Sequence, residues 1–236
     1  MARHISTGFL AKPESEKRDF QPVAYAKLGY ELLEAQKEDV VLDIGCKGGW
    51  LEFLLSPKVK KIVAVDTDEA FIKENIKINR FKNVEYAVAD ASQKLPFADN
   101  SFDKIAYFEV LEHLPPNREK ESLVEMLRVL KPNGKLVLTT PHANWLSTIL
   151  DPAWWLIKHR HYRADWLANL AKEVGFSQVV VRVKGRMWHA LSVFLYYPMK
   201  LLHIEHWTAK SMPRLVQREF DSGEGFVHII FTASKK

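Results

Sequence analysis

The chain has 236 residues and a mass of 27.3 kDa, room for one large domain or one domain with a sizeable insertion. Its 47% hydrophobic and 27% charged residues exclude disorder, collagen and coiled coil, and its single cysteine, Cys46, excludes a disulfide scaffold or a Cys-based metal cluster. The net charge of +5 permits an anionic partner without requiring one, because 34 basic and 29 acidic residues are interspersed along most of the chain.

Taken in chain order, the first nineteen residues hold no apolar run of the secretory kind. The longest dense apolar stretch free of charged side chains, residues 187–199, falls short of the ~20 residues that a membrane span needs. A soluble protein in a reducing, cytoplasmic setting is therefore the expectation. Residues 22–36 read as a helix. VVLDI (40–44) and KIVAVD (61–66) are continuous β-branched runs, suited to strands buried on both faces of a parallel sheet. VEYAVAD (84–90), FDKIAYFEV (102–110) and GKLVLTTP (134–141) follow at similar spacing. Helices are expected at 68–79 and at 117–130, the second with Asn117 as N-cap and Gly134 just past its end. This alternation is the pattern of a doubly wound α/β sheet.

After residue 141 the pattern changes. A Trp-rich connection (142–162) leads to a helix at 164–174 stopped by Gly175, then a sixth strand (177–185) and a seventh (226–234). Between these two strands lies a segment with an aromatic helix from Trp188 to His203, expected to break at Pro198. The whole reads as a single domain, 1–236. An amino-terminal helical cap (1–37) precedes a core (38–185 and 226–236), and 186–225 is inserted between strands six and seven.

The first strand runs into Asp43-Ile44-Gly45-Cys46-Lys47-Gly48-Gly49-Trp50 and then a helix. Such a Gly-rich turn lets a ligand approach the backbone and aims helix N–H groups at it, although Gly45 and Gly49 alone also fit plain turn residues. Asp66 ends the second strand, 21 positions after Gly45, where a ribose-binding acid is expected in a nucleoside site. Asp90 ends the third. Three carboxylates at one sheet edge favour a polar or cationic ligand between them, and Asp43 disfavours a pyrophosphate.

These residues resemble the class I S-adenosylmethionine-dependent methyltransferases, in particular the small-molecule group. IVAVDTDEAFI (62–72), VADASQKLPFADNSFDKIAYFEVLEHL (88–114) and MLRVLKPNGKLVLTTP (126–141) are similar to that family's successive motifs, in order. The resemblance covers 38–141 strongly and 162–185 and 226–234 weakly. It implies a Rossmann-like seven-stranded sheet, mostly parallel with an antiparallel last strand and helices on both faces. It also implies S-adenosylmethionine as cofactor and S-adenosylhomocysteine as product. By position, Asp43 and Gly45 would face the methionine ammonium and Asp66, with Thr67 beside it, the ribose. Asp90 and Ala91 would meet the adenine, Gly49 would complete the loop, and Glu109 would lie beside the methyl group.

Lys47 departs from the pattern, standing where the family has its second loop glycine. It either crowds the cofactor, or shifts the loop so that Gly48 takes the close approach, or binds the methionine carboxylate, or is a solvated lysine on a slightly different turn. Impaired binding without catalysis is the remaining alternative, that of a non-catalytic S-adenosylmethionine-binding protein.

Base candidates are His113, which also suits a structural or lid role, and His142 just after strand five. His159, His161 and Tyr162 cluster in KHRHYR, but no metal is expected there, because no carboxylate or Cys stands nearby in sequence to complete a ligand set. Strand four ends in Phe108-Glu109-Val110-Leu111, not in the Asn/Asp-Pro-Pro-aromatic motif that holds a planar exocyclic amine. A small-molecule acceptor is therefore expected and a nucleic acid is disfavoured. Four of the seven tryptophans fall in 145–166. Trp145, Trp154 and Trp155, with Tyr162, either wall an acceptor site or pack as ordinary core. The aromatic segment 187–207, with Lys184, Arg186 and Lys200 about it, carries a rival reading, a peripheral membrane methyltransferase acting on a lipid or quinone-like acceptor.

Overall fold

The computed structural model describes residues 12, 20, 22–202 and 212–236. In chain order its elements are α1 (Ala24–Leu33), β1 (Val40–Ile44), α2 (Trp50–Leu55), β2 (Lys61–Asp66), α3 (Glu69–Ile78), β3 (Val84–Val88), β4 (Phe102–Phe108), a 3₁₀ turn (Leu111–His113), α4 (Glu119–Val129), β5 (Leu130–Pro141), α5 (Trp145–Ile149), α6 (Pro152–Ile157), α7 (Ala164–Val174), β6 (Ser177–Lys184), α8 (Met187–Leu201), α9 (Pro213–Asp221) and β7 (His228–Ser234). The seven strands form one sheet in the order β3-β2-β1-β4-β5-β7-β6. β1 to β5 pair in parallel, and β7 runs antiparallel between β5 and β6, as the family resemblance implied.

The order reverses between β1 and β4, so a crevice opens beyond the carboxyl ends of these strands. Strand period sets the two faces. Leu42 and Ile44 join Ile105, Tyr107, Leu138 and Phe231 under α4 and α7, while Val41 joins Ile62, Ala106 and Val137 under α1 and α2. Asp43, two residues on from Val41, points to this second face as well and is buried. Each central strand is therefore apolar on both sides, which is why β1 and β2 read as unbroken runs.

Three local expectations differ from the structure. Asn117 does not cap α4. It takes a left-handed turn at φ 64°, which asparagine tolerates, and the helix starts two residues later. β5 begins at Leu130, directly from the helix, because Leu130 pairs with Phe102. Pro198 does not end α8, which runs on to Leu201 with the ring exposed. An exposed proline costs a hydrogen bond, yet solvent can take the freed carbonyl. The aromatic helix expected to reach His203 and the aromatic segment expected to reach Trp207 end outside the described residues, as do residues 1–11, 13–19 and 21 of the expected amino-terminal cap.

The segment between β6 and β7 packs as a helix pair, α8 on α9, and α9 also packs on α1. The Glu219 carboxylate of α9 accepts from the backbone N–H groups of Arg186 (2.8 Å), Trp188 (2.9 Å) and His189 (3.0 Å), capping the free donors at the start of α8. Beneath it the chain crosses itself closely: a Cβ on Gly225 would lie 2.1 Å from the Gly185 carbonyl oxygen.

Candidate functional site

A cleft of about 420 Å³ lies at the reversal of strand order, over the ends of β1, β2 and β4. Its walls include Gly45, Lys47, Asp66, Thr67, Asp90, Ala91 and Glu109, seven of the nine residues assigned to the cofactor from sequence. Gly45 has φ 81°, and a Cβ there would lie 2.4 Å from Val110 Cγ2, so the loop passes where only glycine fits. Lys47 also adopts a left-handed conformation, φ 40°, which is costly for a lysine. Two bonds hold it there: its N–H donates to Asp66 Oδ2 at 3.0 Å and its carbonyl accepts from Asn75 Nδ2 at 2.6 Å. The other Asp66 oxygen accepts from the Asp68 amide at 2.9 Å. Asp90 accepts from the Ser92 amide and the Gln93 side chain, which outweigh its partial burial and lower its pKa.

Two of the nine do not reach the cleft. Gly49 is buried at φ 78°, starting α2. Asp43 is turned under the loop toward Glu52 of α2, and both are buried. Burial first, and then the Glu52 charge, push the Asp43 carboxyl well above its ordinary value. Burial likewise raises Glu52 to about 7. Burial beside another acid favours the neutral form of both carboxyls, and Asp43 does not line the cleft where the resemblance would have it face the methionine ammonium.

Glu109 stands at the end of β4 with φ 56° and also lines a second, smaller cavity of about 150 Å³. Its Oε1 lies 2.7 Å from His228 Nε2 and accepts from the Thr139 hydroxyl at 2.8 Å. Burial pushes the Glu109 carboxyl up, but His228 and Thr139 outweigh it and hold it below its ordinary value. Glu112, one helical turn away, goes the other way: burial and then the Glu109 charge raise it. Tyr25 stacks on the His228 ring at 4.3 Å and 12°, and both face the cavity with His189, which burial lowers to about 3 and so keeps neutral. Apolar walls come from Leu150, Ala153, Ala190 and Val193.

Residues 42–138 match the methyltransferase-domain family. A probable S-adenosylmethionine-dependent methyltransferase of Mycobacterium tuberculosis is 30% identical over 60% of this chain and 50% of its own length. A ubiquinone/menaquinone biosynthesis C-methyltransferase of Rickettsia prowazekii is 33% identical over 41% of this chain and 42% of its own length. The chain spans about half the length of the curated relatives it matches. Among solved structures, the YcgJ protein of Bacillus subtilis has the same fold, with a TM-score of 0.61 at 19% identity over 90% of this chain and 98% of that one. A Haemonchus contortus phosphoethanolamine N-methyltransferase in complex with S-adenosylmethionine gives 0.64 at 18% identity, over 87% and 52%.

The fold gathers the cofactor-side expectations into one cleft but scatters those for the acceptor. His113 lines the cleft, and partial burial, then the charges of His159 and Lys47, lower it to about 4, a weak base. His142 lines neither cavity, and its Nδ1 lies 3.0 Å from the Phe226 carbonyl. Tyr162 is buried away from both cavities, stacked on Trp166, with its hydroxyl shared between the Leu111 carbonyl and Glu119. The expected tryptophan wall is not a wall. Trp145 is 72% and Trp155 62% exposed, and neither they nor Trp154 line a cavity. They are not core either, because α5 and α6 turn them outward.

Sequence reasoning missed His228, Tyr25, His189 and Asp151. The signal for His228 was present, a single polar residue within the apolar run FVHIIF, aligned with Pro141 at the end of β5. The reason for expecting no metal at His159 and His161 also fails. Asp151, the N-cap of α6, brings its Oδ2 to 2.9 Å from His161 Nε2 and 3.4 Å from His159 Nδ1.

Proposed function

We propose that this chain is a methyltransferase that binds S-adenosylmethionine in the larger cleft and transfers its methyl group to a small molecule held in the smaller cavity. The observation that carries the reading is Glu109, which lines both spaces and so stands where a methyl donor and its acceptor would meet. On the cofactor side, Asp66 takes the ribose hydroxyls, Asp90 and Ala91 the adenine, and the Gly45 loop the methionine end, where the Lys47 ammonium faces the carboxylate. Asp43 supports the loop from behind, paired with Glu52. The domain is read as one unit, with 186–225 as the segment that closes the acceptor side.

The transfer is an in-line displacement. The carbon–sulfur electron pair stays on sulfur and gives neutral S-adenosylhomocysteine, while an acceptor lone pair forms the new bond. A protic acceptor loses its proton to the His228 imidazole, and Glu109 stabilises the cation so formed. Calorimetry tests the reading: S-adenosylhomocysteine should bind and NAD should not. Binding of NAD, or of neither, removes it.

A second reading, in which the acceptor is lipid- or quinone-like and is met at a membrane surface, draws on a specific feature. Ile149, Trp155, Leu156 and Ile157 are each more than half exposed, and α5 and α6 also supply Ser147 and Ala153 to the smaller cavity. The Rickettsia prowazekii relative is named for quinone biosynthesis, which suits an apolar acceptor.

A further inference from the structure

We propose that Asp151, His159 and His161 bind a divalent transition metal of the zinc type in the floor of the smaller cavity. Both imidazoles aim a ring nitrogen at one oxygen, Asp151 Oδ2, at 2.9 and 3.4 Å, and the candidate ligand atoms all lie within 4.8 Å of one another. A tetrahedral ion with ligands at about 2.0–2.2 Å needs ligand atoms little more than 3 Å apart, so a small movement admits it.

What lies behind each ligand also suits a metal. The other nitrogen of His161, Nδ1, is 3.1 Å from the Thr148 hydroxyl. The other Asp151 oxygen is held by the Ala153 amide at 2.9 Å. The other nitrogen of His159, Nε2, is 3.6 Å from Glu112 Oε1, a fully buried atom with no hydrogen-bond partner. A metal on His159 Nδ1 forces the ring proton onto Nε2, which then points at that unpaired oxygen. A carboxylate or hydroxyl behind each imidazole is how metal-binding histidines are oriented. Three protein ligands leave the remaining position open to the cavity, whose other wall carries Glu109 and His228. An acceptor oxygen bound there would be oriented for transfer and made easier to deprotonate. That role rests on the methyltransferase reading, whereas the site does not.

Chelator-stripped full-length protein, dialysed against zinc, should retain one equivalent per chain, and cobalt(II) in its place should show the visible bands of a low-coordinate site. His161→Gln should abolish the bands. Glu112→Gln, which leaves all three ligands in place, should weaken zinc retention roughly 10- to 100-fold. S-adenosylhomocysteine titrations on the same samples separate this proposal from the methyltransferase reading, because either ligand can bind without the other. A cooperatively melting protein that retains no zinc overturns the proposal. So does zinc retention that neither His161→Gln nor Glu112→Gln alters.

Discussion

The backbone amide of Lys47 donates to Asp66 Oδ2 at 3.0 Å, so the acid at the tip of β2 fixes the loop at the tip of β1. The bond holds a lysine at φ 40°, where glycine is at ease. Lys47→Gly should keep the bond and relieve the strain, raising stability by about 0.5–1 kcal/mol net of the entropy that glycine adds to the unfolded chain. The same change removes the cation proposed to face the cofactor carboxylate, so S-adenosylhomocysteine should bind a few-fold more weakly, as for a partly exposed ion pair of about 0.5–1 kcal/mol. A melt and a titration that move in the same direction would refute this pairing of effects.

Asp66→Ala should weaken S-adenosylhomocysteine binding by roughly 1.5–3 kcal/mol, the range for hydrogen bonds to a charged group. The loss would have two sources, the proposed ribose contact and the freed Lys47 and Asp68 amides. An unchanged dissociation constant in a folded variant would reduce Asp66 to a loop tie.

The Asp43 and Glu52 pair predicts an unusual pH dependence. Glu52 is raised from 4.5 to about 7 in the folded protein, so the folded state keeps a proton that the unfolded chain releases above its own lower value. Stability from this pair is therefore full below about pH 4.5, declines as pH rises toward about 7, and levels off above. The raised Asp43 adds to the same slope. Glu52→Gln should flatten the slope and raise the melting temperature at pH 8. A steeper decline in the variant would show that the carboxyls are charged and paired to something else.

His228→Gln should leave S-adenosylhomocysteine affinity within about two-fold and lower kcat for a protic acceptor by roughly 10²–10⁴, the range for general acid–base catalysis. His142→Gln should leave kcat unchanged, since His142 lines neither cavity. Equal losses in both variants would mean that the imidazole near Glu109 is not the base.

Trp155→Ala should cost well under the roughly 3–5 kcal/mol of a buried tryptophan, because the side chain is 62% exposed. Cofactor affinity should be untouched. If this face meets a membrane, co-sedimentation with anionic vesicles should fall in Trp155→Ala and further in Trp155→Ala/Ile157→Ala. A cofactor titration that shifts instead would place Trp155 in the binding site.

The cofactor half of the molecule was legible because its signals are local. A buried strand, a turn glycine at Gly45 and an acid at the end of β2 are each set within a few residues, and parallel pairing then brings Asp66, Asp90 and Glu109 to one edge. The smaller cavity was not legible, because its walls include Tyr25, Asp151, His189 and His228, which only tertiary packing assembles. Composition misled at the tryptophans: an aromatic cluster in a ligand-side connection reads as a wall or as core, and nothing in its spacing says that α6 turns it to solvent. Asp43 misled for the opposite reason. Its place at the strand end was right, but the two-residue period of β1 sends its side chain to the α2 face.

The Glu219 cap on α8 bears on how this cavity can change over evolution. Three backbone N–H groups fix the start of α8, and with it His189, Ala190 and Val193, to a carboxylate on α9. The position of this cavity wall is thereby set from α9, which contributes no residue to the cavity itself. One exchange at Glu219 would release all three wall residues together.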